Sequence, residues 1–115
     1  MRFGAVAAGI AVAGSLLVTA PGAASATGCL PEAQVPSRDG IQAQAWAHLP
    51  CGGTGYIRLV TSGGTNLTGD QPFSAGGATY VSGVWATCTG YSVHTFVYIN
   101  INGTGMSDTS GSVSC

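Results

Sequence analysis

The side chains able to do chemistry are few. The chain has two histidines, His48 and His94. Beyond the apolar N-terminal stretch its carboxylates are Glu32, Asp39, Asp70 and Asp108, and its cations are Arg38 and Arg58. Serine is plentiful, so a Ser–His–Asp site can be drawn on paper with either histidine and Asp39, Asp70 or Asp108. Nothing selects one such set, because no G-x-S-x-G elbow presents a serine. His94 falls beside Phe96 and Tyr98 in an alternating run, where an ordinary strand histidine is expected rather than a general base. Glycoside hydrolysis needs two facing carboxyl groups; Glu32 and Asp39 fall in the first loop and Asp70 and Asp108 in others, so nothing in the sequence signals a pair. There is no C-x-x-C pair and no histidine at zinc-ligand spacing. Residues 102–108 are rich in oxygen ligands but lack the calcium-loop pattern. Neither an enzyme nor a cofactor is expected.

One constellation suits binding instead: Trp46, His48, Tyr56 and Arg58. Residues 41–48 alternate, with Ile41, Ala43, Ala45 and Ala47 on one side and Gln42, Gln44, Trp46 and His48 on the other. Alanine favours helices, but the strict alternation and the flanking prolines favour a strand. Residues 56–61 form a second run, with Ile57 and Leu59 opposed to Tyr56, Arg58 and Val60. The turn-rich stretch 49–55 joins the two. If they pair as a hairpin, the alanines face Ile57 and Leu59 inside, and the four candidate residues share the outer face. Arginine stacks on aromatic rings, and Trp, Tyr and Arg are the residues on which interfaces most depend. The same rings could stack on sugars. The competing arrangement buries Trp46 against a disulfide, since large aromatics dominate small cores.

The elements that must position these residues are β-strands. Residues 78–87 and 91–101 read as a central hairpin around Cys88-Thr89-Gly90, with Gly90 supplying a positive φ. In the second run Val93, Thr95, Val97 and Ile99 share one face, and His94, Phe96 and Tyr98 the other. The first run has bulk on both faces, as a central strand would, and Gly83 marks a bulge within it. Residues 29–40, with Pro31 and Pro36, read as irregular chain. Residues 62–77 read as a long connection with a short strand near 66–68. Asn102-Gly103 is a type I′ turn signal, and residues 104–115 form the return edge strand. Short strands, frequent turns and no helical pattern predict an all-β fold, a small antiparallel sandwich or barrel.

Residues 1–26 have the form of a secretory signal peptide: Arg2, an apolar run over 5–20, and the small-x-small site Ala24-Ser25-Ala26. Residues 27–115 are then a single exported domain, with no membrane insertion after cleavage. Ala26-Thr27-Gly28-Cys29 also resembles a lipobox, although the usual Leu is replaced by Ala26 and lipidation would leave an odd number of cysteines. Four cysteines in a short exported chain predict two disulfides. Sequence allows three connectivities; Cys29–Cys51 with Cys88–Cys115 is favoured, since each closes a moderate loop. Each bridge contributes about 2–4 kcal/mol.

The chain has no lysine, and two scattered arginines cannot neutralise a phosphate backbone or dwell on an anionic membrane. Nucleic acid is therefore not an expected partner. The expectation is a monomeric, secreted, non-catalytic binding module for an extracellular protein or glycan. The plan also resembles the small α-amylase inhibitors of the tendamistat type, in its signal peptide, all-β domain, four cysteines and terminal cysteine. That resemblance implies inhibition of a secreted hydrolase. Those inhibitors carry a Trp-Arg-Tyr triplet, whereas here Trp46 is followed by Ala47 and His48. A cell-surface or spore-coat structural protein is the third reading, consistent with low charge and Ser/Thr/Gly richness.

Overall fold

The computed structural model describes residues 28–115. They form eight strands: β1 Glu32–Asp39, β2 Gln42–Leu49, β3 Gly53–Thr61, β4 Gln71–Ala75, β5 Thr79–Thr87, β6 Ser92–Ile101, β7 Thr104–Thr109 and β8 Val113–Ser114. Two antiparallel sheets face each other. The smaller has the order β1-β2-β5; the larger has the order β4-β3-β6-β7, with β8 pairing the start of β6. The expected antiparallel sandwich forms, with the favoured bridges Cys29–Cys51 and Cys88–Cys115. The Cys29 sulfur is thereby committed to Cys51, which leaves it no thiol to lipidate. The expected signal segment lies outside the described residues.

The core follows from the alternation read in the sequence. Ala43, Ala45, Ala47 and Leu49 of β2 face Ile57 and Leu59 of β3 and Val93, Val97 and Ile99 of β6, all buried. β2 presents small side chains, so the larger aliphatics of β3 and β6 fill the layer between the sheets. Gly55 of β3 is crowded by the backbone of β6: a Cβ there would collide with the Tyr98 carbonyl. The Asn102-Gly103 turn is as expected, with φ of 53° and 87°.

Two pairings differ from expectation, for one physical reason. β5 and β6 do not pair with each other: β5 pairs β2, and β6 pairs β3 and β7. β2 and β3 do not form a hairpin either; they sit in opposite sheets. Each short loop carries the chain across the end of the sandwich instead of folding it back in plane. Each also carries a cysteine, Cys51 in the first and Cys88 in the second, and the bridges pin both crossings. Cys88 is buried and its N–H bonds the Ile41 carbonyl at 2.7 Å, which fixes that crossing against β2. As a result β5 is an edge strand, not a central one.

Residues 32–39, read as irregular, are strand β1. Its Pro36 lacks an N–H and falls in a β-bulge, where that loss is tolerated. Residues 62–77 contain β4, while the strand expected near 66–68 reduces to one bridge, Val60 to Asn66. The return strand is broken into β7 and β8 around Ser110, which pairs with Thr95 through its own N–H and hydroxyl.

Two bulges meet at Ala45. Val35-Pro36 of β1 and Gly83-Val84 of β5 each oppose this single residue, so the bulge expected at Gly83 is present. Each bulge turns a carbonyl out of the ladder, and β2 answers both. Trp46 Nε1 donates to the Val35 carbonyl at 2.9 Å, and Gln44 Nε2 to the Gly83 carbonyl at 2.8 Å. The Val84 N–H donates across the sandwich to Gln71 Oε1 at 2.9 Å. On the other edge, the Ala33 N–H donates to Asp108 Oδ2 at 2.8 Å. Both free edges of the small sheet are thus tied to the large one.

Candidate binding surface

The fold separates the four candidate residues into two pairs. Trp46 and His48 lie on the outer face of the small sheet; Tyr56 and Arg58 lie on the outer face of the large one. Of the two arrangements that the alternation left open, the one with the alanines inside and Trp46 outside forms. The assumed hairpin was at fault, because the crossing at Cys51 puts β2 and β3 back to back.

On the small sheet the residues stand in rows across the strands. Glu32, His48 and Tyr80 form one row; Gln34, Trp46 and Ser82 form the next. His48 and Tyr80 lie ring against ring with centroids 4.8 Å apart, and Trp46 meets Tyr80 diagonally at 5.8 Å. His48 Nδ1 is 2.9 Å from Glu32 Oε1, an ion pair when the imidazole is protonated and a hydrogen bond when it carries the proton on Nδ1. The Trp46 indole N–H is taken by the β1 bulge, so the ring is held across the strand. Beyond it, Trp85 stands opposite Gln44 and is 41 % exposed. Tyr80 is 64 % exposed, and Val35 and Val84 at the two bulges are also exposed. The result is an aromatic patch with the Glu32–His48 contact at one end.

On the large sheet Tyr56 stands opposite Tyr98, and Arg58 opposite Phe96. The Arg58 guanidinium carbon lies 5.0 Å from the Tyr56 ring centre and 4.8 Å from that of Phe96. Its Nε is 2.8 Å from Asp70 Oδ1, but the N–H does not point at that oxygen, so the contact is an ion pair without a hydrogen bond. Asp70 is held by its loop: Asn66 Nδ2 donates to it at 3.3 Å, while Asn66 Oδ1 accepts from the Gly69 N–H.

Tyr80, Trp85, Phe96 and Tyr98 belong to these surfaces and were absent from the sequence-derived set. Phe96 and Tyr98 were legible as an outward face of their strand. Strict alternation puts Tyr80 and Trp85 on opposite faces of β5; the Gly83-Val84 bulge brings both to the outer face. His94 lies half-buried on the same outer face as Phe96, opposite Val60. Among the described residues it makes no hydrogen bond or ion pair. A shallow pocket beside β6 and β8 is lined by Gly90, Tyr91, Ser92, Ser114 and Cys115.

No protein-family model, no curated protein and no solved structure matches this chain.

Proposed function

We propose that the chain is a secreted, non-catalytic module that binds another extracellular protein through the outer face of its small sheet. The observation that carries this reading is the group of rings on the outer face of the small sheet: the half-buried Trp46, braced by its indole hydrogen bond, beside the exposed Tyr80 and Trp85. Large exposed apolar patches rimmed by polar groups mark interaction sites. Here the rim is Gln34, Gln44 and the Glu32–His48 pair. Rings held in place before binding lose little freedom on complex formation, which favours affinity. Two disulfides in a small domain fit an oxidising extracellular setting, and the leader-like segment at residues 1–26 supports export.

The test is differential capture from the secreted proteome of the producing organism. Wild-type protein is compared with Tyr80→Ser/Trp85→Ser and with Tyr98→Ser. The reading expects a partner held by wild type and by Tyr98→Ser but lost from the double variant. A partner held equally by all three, or none held by wild type, contradicts it. A captured hydrolase whose activity falls on binding would specify the module as an inhibitor.

A further inference from the structure

Asn102 stands apart in the backbone. Among the described residues it is the one non-glycine residue with a positive φ, 53°. With Gly103 at 87° it makes the tight turn between β6 and β7, and both residues are exposed. The chain's other asparagines, Asn66 and Asn100, precede Leu67 and Ile101, whose side chains shield the next backbone nitrogen. Gly103 has no side chain, so its nitrogen is open to the Asn102 carboxamide. Its proton, however, is engaged: the Gly103 N–H donates to Asn100 Oδ1 at 3.0 Å. Asn100 Nδ2 in turn donates to Tyr98 Oη at 3.5 Å. A Cβ on Gly105 would stand 2.6 Å from that hydroxyl, so the glycine in β7 leaves room for it beside Asn100. The half-buried Asn100 amide is thus oriented with its oxygen toward the turn.

We propose that Asn102 is a site of spontaneous deamidation whose rate is held down by the Asn100 side chain. In the reaction the Gly103 amide nitrogen gives its proton to hydroxide and attacks Asn102 Cγ. The new C–N bond closes a succinimide, and the carboxamide nitrogen, protonated by water, leaves as ammonia. Water then opens the ring at either carbonyl, to aspartate or to isoaspartate. The balance is one water in and one ammonia out, with no change of oxidation state. The first step needs the proton that Asn100 holds in a hydrogen bond, so this contact must open before the nitrogen reacts. Both products add a negative charge at the turn. Aspartate tolerates the left-handed backbone and keeps the turn. Isoaspartate lengthens the main chain by a methylene inside the turn and disturbs the pairs Ile101 to Thr104 and Asn100 to Gly105. β7 also carries Asp108, which accepts the Ala33 N–H, so a loosened β7 weakens a tie between the sheets.

The experiment ages the full secreted chain in mildly alkaline buffer and follows it by peptide mapping with mass spectrometry. Asn100→Ala and Asn100→Asp are aged alongside. The expected result is amide-to-carboxyl conversion confined to Asn102. It should run about fivefold faster in Asn100→Ala and no faster than wild type in Asn100→Asp, which keeps an acceptor oxygen. Hydrogen exchange separates this from general loosening: in Asn100→Ala the Gly103 amide should speed up by the same factor, while the Met106 and Asp108 amides of β7 do not. Native wild type should also convert more slowly than the same chain unfolded in urea, a comparison that needs no variant. Equal rates in wild type and Asn100→Ala, or in native and unfolded chain, overturn the proposal. So does conversion centred on Asn66 or Asn100, faster conversion of Asn100→Asp, or acceleration in Asn100→Ala that the Met106 and Asp108 amides share.

Discussion

Trp46 shows how much one side chain contributes in this fold. Its ring belongs to the exposed patch, but its indole N–H closes the β1 bulge through the Val35 carbonyl. Removing the ring should therefore cost stability as well as binding. Trp46→Phe keeps an aromatic side chain but loses the donor and part of the ring, so unfolding in urea should report a loss of about 1 kcal/mol or more. Thr95 presents the opposite case. It is fully buried, and its hydroxyl oxygen has no hydrogen-bond partner among the described residues. Thr95→Val removes that unsatisfied group with little change of shape. It should stabilise the domain by about 1 kcal/mol, a rise of about 4–8 °C in the thermal midpoint for a domain of this size. A fall in midpoint would mean the hydroxyl is satisfied by water. Neither feature was legible beforehand. Alternation fixes which way a side chain points, but not whether a bulge carbonyl or an empty space awaits it.

The strands themselves were largely legible, because period-two patterning depends only on which residues avoid water. The two faces of β2, β3 and β6 were separated correctly, with Ile57, Leu59, Val97 and Ile99 sharing their buried sides, whereas alternation alone left open whether β2 buries its alanines or Trp46. Strand partners were not legible. A short glycine-containing loop can close a hairpin or cross between sheets, and Cys51-Gly52 and Cys88-Thr89-Gly90 do the second. The available signal was the cysteine in each loop: a bridge there holds an end of the sandwich shut. Cys88→Ser/Cys115→Ser opens a loop closed over a separation of 27 residues and should lower stability by about 3.5 kcal/mol, measured by denaturant unfolding. β8 should be the first element to lose hydrogen-exchange protection, since two register pairs join it to β6. At β3 the constraint is steric. Gly55→Ala drives a methyl into the Tyr98 carbonyl, and unfolding should report a loss of about 3 kcal/mol or more. A Gly55→Ala protein of wild-type stability would mean that β3 and β6 are paired differently.

For the molecule as a whole, the sandwich turns one predicted cluster into two faces looking in opposite directions. The residues chosen from sequence were all outward-facing, but Trp46–His48 and Tyr56–Arg58 work with partners from other strands, Tyr80 and Trp85 on one side and Phe96 and Tyr98 on the other. The central claim is the protein-binding face of the small sheet. Its most direct measurement is a residue-resolved NMR titration of the isotope-labelled domain with the captured partner. Amide shifts are expected to concentrate on Glu32, Gln34, Trp46, His48, Tyr80 and Trp85, with the backbone of β3, β6 and β7 unmoved. Shifts centred on Tyr56, Phe96 and Tyr98, or on the β6–β8 pocket, would contradict it.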